Sequence, residues 1–400
     1  LWLTPEYPFR QQALALGPAA TGFPMLMLQH GLDAFFTRLN RRDLEALVAG
    51  EAGDLHRLDR FTRGPGGDTF ALARGPDLLV HIGAGNIPVA PLAGLVMGLL
   101  ARAAQFCKCA RGAAWLPRLL AHSLYEMEPK LGACLEIAEW PGGTVDLEEA
   151  LFAEADCVIA TGTDETVATI RARLPPRVRF LGYGHRVSFG YIARECLPDV
   201  AAARALAQRA ARDVAAWDQL GCLSPHVFYV QAGGVPAEQF ATLLAAELAR
   251  LEEQVPRRPL TVEEAAHIQH RRQFFQVRAA AAAGTHLWCS EGSTAWTVVF
   301  EAEPRFQFSC LNRFVYVMSA SGLDEVLRQA ETIRGQVSTV GLAAARPHLV
   351  ELAAQLARWG VTRVCPLGRM QEPPLTWHHD GRAALGDLLT WTDLEMPDDP

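Results

Sequence analysis

Of the nine cysteines in this 400-residue chain, Cys222 stands in AWDQLGCLSPHVFYV, between a helix-like segment and a run rich in Val, Phe and Tyr. Beside Gly221 and Ser224-Pro225, such a cysteine has two readings. It is a small buried residue filling space, or a thiol that a lowered pKa or a nearby base turns into a nucleophile. Asn86 closes HIGAGN, where an amide at a strand's end either donates to a developing oxyanion or bonds its own turn. The G-x-G there lacks the third glycine of a dinucleotide fingerprint. Lys108, in QFCKCARG, is a solvated lysine or a cation held for a ribose hydroxyl or a phosphate. Its neighbours Cys107 and Cys109 are too close for a usual zinc pair, and no second pair follows at zinc spacing, so no metal is expected. In ATGTDE, Thr161, Thr163 and Asp164 can cap a helix, and the amides of that helix start can take a pyrophosphate. His378, His379 and Asp380 in TWHHDGR read as a polar loop, since adjacent side chains point in different directions.

Elements that could hold these residues follow from pattern. DLLVHIGAGN reads as a strand entering a glycine bend, followed by the helix PVAPLAGLVMGLLARA. ADCVIATGT, DETVATIRARL and VRFLGYG repeat the order strand, helix, strand. Alternation of this kind implies an α/β fold with a parallel sheet, and a ligand at the carboxyl ends of its strands. A helix over 31–50, a turn at RGPGGD, a long alanine-rich helix from Asp199 to Leu220 and a strand HVFYV are also expected. Helices near 236–254 and 261–283, strands near 295–301 and 313–318, and a last helix and strand in SGLDEVLRQAETIRGQVSTVGLA complete a second α/β lobe. The boundary falls near Pro198. Residues 1–198 form the first domain, 199–370 the catalytic one, and 371–400 a C-terminal segment returning to the first lobe or to an oligomer interface.

Composition narrows the function. Half the residues are apolar and 20% charged, as in a globular enzyme. A net charge of −7 disfavours a nucleic-acid partner. The odd, scattered cysteines suggest a reducing cytoplasm, and LWLTPEYPFRQQ lacks the apolar core of a secretion signal. Residues 78–101 carry no Asp, Glu, Lys or Arg, but their prolines and glycines break the run, so a buried strand, turn and helix is expected instead of a membrane span.

Taken in order, the motifs resemble the aldehyde dehydrogenase superfamily, and within it the LuxC-type long-chain acyl-CoA reductases of bacterial luminescence. HIGAGNIPVAPL resembles the segment with the oxyanion-stabilising asparagine, here Asn86, and QFCKC the strand ending in a ribose-binding lysine, here Lys108. ATGTDETV resembles the helix start beneath the cofactor, giving Thr161, Gly162 and Thr163. DQLGCLSP resembles the segment of the nucleophilic cysteine, here Cys222, and PPLTWHHDG the C-terminal signature. The resemblance implies two α/β lobes, a Rossmann-like cofactor lobe and a catalytic lobe, usually in a homo-oligomer. It also implies NADPH, with NADH as the alternative, bound with help from Gly182 and Gly184.

Two departures are informative. Hydrolytic relatives carry a water-activating glutamate before a Gly-Gly pair; here the stretch reads FLGYGHRVS, that place falls on Gly182 or a neighbour, and no carboxylate occurs between Glu165 and Glu195. Where the superfamily has a glutamate for the nicotinamide ribose, RFQFSCLNRF offers Gln307. The expected activity is therefore reduction of a fatty acyl thioester, on coenzyme A or a carrier, to the aldehyde through S-acyl-Cys222. An acyl-activating partner protein is an alternative donor. The competing expectations are an oxidising aldehyde dehydrogenase and a non-catalytic scaffold for such a partner.

Overall fold

A computed structural model describes residues 1–64, 69–281 and 283–396, so most of the expected RGPGGD turn lies outside the described residues. The chain divides into two compact units. One comprises Leu1–Thr21, Leu28–His185 and Pro374–Pro400, the other Gly22–Met27 and Arg186–Pro373. The division falls at His185, ahead of Pro198, because Val187–Ile192 is buried along its whole length as an inner strand of the second unit's sheet.

The first unit is built on a five-stranded parallel sheet in the order Leu135–Glu139, Ala104–Cys109, Leu78–Ile82, Cys157–Thr161, Arg179–Tyr183. The chain enters at Leu78–Ile82, winds outward on one side, then returns to wind on the other. The carboxyl ends on either side of Leu78–Ile82 thus flank a topological switch point, where α/β sheets leave a crevice. The uncharged run is the strand Leu78–Ile82 and the helix Ala90–Leu100. His81 lies on that strand, buried, its Nε2 2.8 Å from Gln105 Oε1. Gln105 in turn donates to Leu95 O at 3.0 Å. Gly94 and Gly98 make room: a Cβ would stand 3.1 Å from His81 Nδ1 at the first and 2.1 Å from Gln105 Oε1 at the second. Burial pushes the His81 pKa down to about 4, so the ring is neutral.

The helix expected over 31–50 is two helices, Met25–Phe36 and Arg41–Ala52. The break is set by Asn40, which caps the second by accepting from Asp43 N at 3.0 Å. The C-terminal residues join this unit. Thr390–Glu395 pairs antiparallel with Thr69–Arg74, and Arg179 donates to the carbonyls of Asp387 and Leu389, each at 3.0 Å.

The second unit holds a seven-stranded sheet in the order Thr285–Cys289, Thr297–Glu301, Phe314–Ala320, Pro225–Gln231, Val187–Ile192, Val337–Ala343, Arg363–Pro366, parallel except for its first pair. Alternate residues of Pro225–Gln231 serve opposite cores, Val227 and Tyr229 on one face, Phe228 and Val230 on the other. The edge strand Thr285–Cys289 was not expected. Nor were the helix Arg346–Trp359 and the strand Arg363–Pro366, which follow what the sequence reading takes as the last pair. The helix Val200–Ala215, capped by Asp199 on Ala202 N at 2.8 Å, stops before the expected Leu220. The chain there turns left-handed, with φ of 52° at Trp217, 50° at Asp218 and 66° at Gln219.

Candidate active site

In the first unit, strand register gathers the sequence candidates at one edge. Ile82 pairs with Lys108 on one side and Ala160 on the other, Ala160 with Gly182, and Thr161 with Tyr183. Two bonds close the edge, Gly83 N to Lys108 O at 3.0 Å and Gly162 N to Tyr183 O at 3.1 Å. Asn86, exposed in the 83–89 loop, and Lys108, Thr161, Gly162, Thr163, Gly182 and Gly184 all belong to this carboxyl edge beside the switch point.

These residues suit a nicotinamide dinucleotide in one respect above others. Lys108 is 7% exposed and, among the described residues, forms no ion pair, which leaves a buried cation at the strand's end for a ribose or phosphate oxygen. Arg111, exposed just beyond it, adds a second cation that the sequence reading passed over. The helix Asp164–Arg173 fits less closely as an anion cradle. Thr163 Oγ1 already accepts from Thr166 N at 3.3 Å, and Asp164 and Glu165 fill the first turn with negative charge. The capping reading of Thr163 is the one its contacts express.

Gly182 and Gly184 have a packing reason to be glycine. A Cβ at 182 would lie 2.6 Å from Val167 Cγ1, and one at 184 would lie 2.1 Å from Asp164 Oδ1, which accepts from His185 N at 2.8 Å. A glutamate at 182, one of the places where hydrolytic relatives would have theirs, enters only if Val167 and Phe180 shift. Nor is TWHHDGR simply a polar loop. His379 stacks on Tyr183, ring centroids 4.6 Å apart and planes 13° from parallel, and Trp377 lies 4.7 Å from it. Burial pushes the Tyr183 hydroxyl up to about 12. Among the described residues no cluster of ligands could hold a metal.

Cys222 belongs to the second unit. It is half-buried in a turn closed by Ser224 N donating to Gly221 O at 3.0 Å, directly before the strand Pro225–Gln231. Three side chains hold that turn, two of them, Ser188 and Gln371, from distant parts of this unit and one, Gln219, from just ahead of it. Ser188 Oγ donates to Cys222 O at 2.7 Å, Gln219 Nε2 to Pro225 O at 2.7 Å, and Gln371 Nε2 to Ser224 Oγ at 2.8 Å. The segment bearing Gln371 is itself anchored by the buried Asp213 carboxylate, which accepts from Gly368 N at 2.6 Å and Met370 N at 2.9 Å. His226 Nδ1 accepts from Ser309 N at 3.0 Å, so a neutral His226 ring carries its proton on Nε2. Two cysteines inside strands, Cys157 and Cys365, are each pushed up to about 11 by burial, the inert state of a structural thiol. Gln307 accepts from Arg271 Nη2 at 2.9 Å within this unit.

Residues 1–391 match the family described as acyl-CoA reductase (LuxC). Curated relatives include the long-chain acyl-protein thioester reductases of Aliivibrio fischeri, 25% identical, and Vibrio harveyi, 23% identical; each alignment covers 88% of this chain and 70% of the relative. Among solved structures, aldehyde dehydrogenase 21 of Physcomitrella patens is 13% identical, with a TM-score of 0.69 over 96% of this chain and 82% of that one. A bifunctional proline utilization A protein is 17% identical, with a TM-score of 0.68 over 95% of this chain. This chain spans only 40% of that longer protein. At such identities the likeness is one of fold, and the fold is aldehyde dehydrogenase-like.

Proposed function

The chain belongs to the acyl-CoA reductase (LuxC) family, and from that premise we propose that it reduces a long-chain fatty acyl thioester to the aldehyde, with Cys222 carrying the acyl group and NADPH as reductant. The observation that carries this reading is the Cys222 turn, half-buried and held from three directions by Ser188, Gln219 and Gln371. A thiol meant only to fill space needs no such support.

The Cys222 thiolate attacks the thioester carbonyl. A carbon–sulfur bond to the enzyme forms, the bond to the donor sulfur breaks, and that sulfur leaves with its electron pair and takes a proton from solvent. Thiolate is a good leaving group, so no strong acid is required. The backbone N–H of Cys222 donates to the carbonyl oxygen as it gains charge, and the family resemblance assigns Asn86 the same role. When bound, a reduced nicotinamide supplies the hydride. Cys222 then departs as thiolate when the aldehyde forms. Lys108, Thr161 and Gly162 would hold the cofactor, Thr163 serving as the cap of the helix that follows, and Lys108 with Arg111 is compatible with the additional phosphate of NADPH.

The acyl donor is coenzyme A or a carrier protein loaded by an acyl-activating partner. The names of the curated relatives, acyl-protein thioester reductases, support the second source. We place the reaction in the cytoplasm, where nine cysteines outside any disulfide stay reduced, and expect a homo-oligomer. No helix among the described residues is long and apolar enough to cross a membrane. An oxidising dehydrogenase is disfavoured by the crowded Gly182, which leaves water without a base at that position. The test is incubation with acyl-CoA and NADPH, following nicotinamide oxidation, aldehyde and acid. Aldehyde as the main product, with acyl label on the Cys222 peptide, supports the reading; free acid as the main product overturns it.

A further inference from the structure

The left-handed turn before Cys222 has a counterpart. Eight non-glycine residues have positive φ among the described residues, and six of them form two runs of three: Trp217, Asp218, Gln219 and Leu311, Asn312, Arg313, the second with φ of 58°, 53° and 64°. Consecutive left-handed residues are uphill for any L-amino acid with a Cβ. Neither run contains a glycine to ease it. Such backbone persists only where its surroundings over-determine it.

What over-determines these two runs is each other. Asp218 and Arg313 are both 0% exposed. Arg313 Nε donates to Asp218 Oδ1 at 2.9 Å, with Nη2 2.8 Å from the same oxygen. The remaining guanidinium donors reach Glu252 Oε2 at 2.7 Å and Val255 O at 3.0 Å. Asp218 Oδ2 accepts from Arg258 N at 3.0 Å. A second tie runs from Gln219 Nε2 to Ser309 Oγ at 3.3 Å, and Ser309 Oγ stands 3.0 Å from His226 Nδ1. The segment 309–313 is therefore laced to the Cys222 turn on both sides, through Asp218 ahead of it and His226 after it. In this chain RFQFSCLNRF serves the nucleophile's backbone.

We propose that Asp218 and Arg313 are positioning residues for Cys222, their buried ion pair holding two left-handed turns against each other and so fixing where the thiol stands. The proposal rests on the reading of Cys222 as nucleophile. Its physical content is that a buried ion pair adds little net stability but has one geometry, and Arg313 meets three acceptors through four contacts with a fork that a lysine cannot reproduce. Loss of the pair lets 217–219 relax toward right-handed backbone and shifts Cys222. A displacement of about 1 Å in a reacting group costs on the order of 100-fold in rate.

The experiment compares Asp218→Ala with Asp218→Gly. Both remove the carboxylate, but glycine adopts the left-handed conformation freely and alanine does not. Single-turnover acylation by acyl-CoA is read by mass on the Cys222 peptide, with thermal midpoint and KM for NADPH measured on the same preparations. The expected result is a loss of roughly 100-fold in acylation for Asp218→Ala, substantial recovery in Asp218→Gly, and an unchanged KM for NADPH in both. Arg313→Lys, which keeps the charge and guards against a variant that fails to fold, is expected to slow acylation with KM unchanged. Equal impairment of the alanine and glycine variants overturns the proposal, as does acylation within twofold of wild type in Asp218→Ala. If none of the three variants folds, the pair is a determinant of folding alone and the proposal falls. Wild-type protein that acylates at another residue, or not at all, sinks the nucleophile reading itself, whatever the Asp218 variants do.

Discussion

The two sets of candidate residues are built in opposite ways. In the first unit the strand-end edge is held mainly by its own backbone: glycine turns, an exposed loop that bears Asn86, and a buried Lys108 that forms no ion pair among the described residues. In the second, the Cys222 turn is bonded from Ser188, Gln219 and Gln371, and the turn before it is clasped by a buried ion pair. The contrast matches what each set would have to do. A cofactor that comes and goes needs an edge with unfilled bonding capacity. A nucleophile that must meet a carbonyl in one orientation needs a support that does not move.

That contrast is easiest to break at its most loaded point. Cys222→Ala is expected to lower reductase turnover by at least about 1,000-fold with little change in thermal midpoint, and acylation of any other cysteine at the wild-type rate contradicts it. Acid should discriminate the units next. His81 has a folded pKa of about 4 against the ordinary 6.5 of a histidine, so below pH 6.5 the unfolded chain takes up a proton that the native one refuses. Stability from this residue is present above pH 6.5 and lost as pH falls toward 4, by about 2 kcal/mol between pH 7 and pH 5. Urea midpoints at the two pH values, in wild type and His81→Gln, measure it. A pH dependence unchanged by the substitution removes His81 as its source.

Smaller effects sharpen the division. Lys108→Ala should raise the KM for NADPH about 10-fold, from the loss of one charge-assisted bond, and leave single-turnover acylation of Cys222 as it is. A change in acylation instead would mean that the edge and the thiol are not separable in function. Gln371→Ala removes one neutral hydrogen bond to Ser224 and should cost about 1 kcal/mol, read as a roughly fivefold fall in acylation. Equal falls in acylation for Gln371→Ala and for an exposed substitution such as Glu331→Ala would show that the Ser224 bond does not support the thiol.

Much of this arrangement was legible before any coordinates. The strand, turn and helix of the uncharged run, and the gathering of Lys108, Thr161 and Gly182 at strand ends, follow from apolar pattern and glycine placement. The helix Arg346–Trp359 was legible too, with Pro347 in its first turn and a left-handed Gly360 at its end. A second lobe ending at the strand near Ala343 is thus one helix and one strand short. The left-handed runs at 217–219 and 311–313 were not legible, because no glycine marks either and each exists only through a partner about 95 positions away. Alternation likewise says nothing of which carbonyl Ser188 will find.

The crowding at Gly182 bears on how the enzyme could have diverged. A side chain there meets Val167 Cγ1 at 2.6 Å and Phe180 Cε1 at 2.8 Å, so a glutamate enters at 182 only when those two side chains shift. A lineage that discarded the base and let the helix close in would find the way back barred by packing. The choice of what leaves the thiol would then be preserved by sterics long after selection on the chemistry itself had eased.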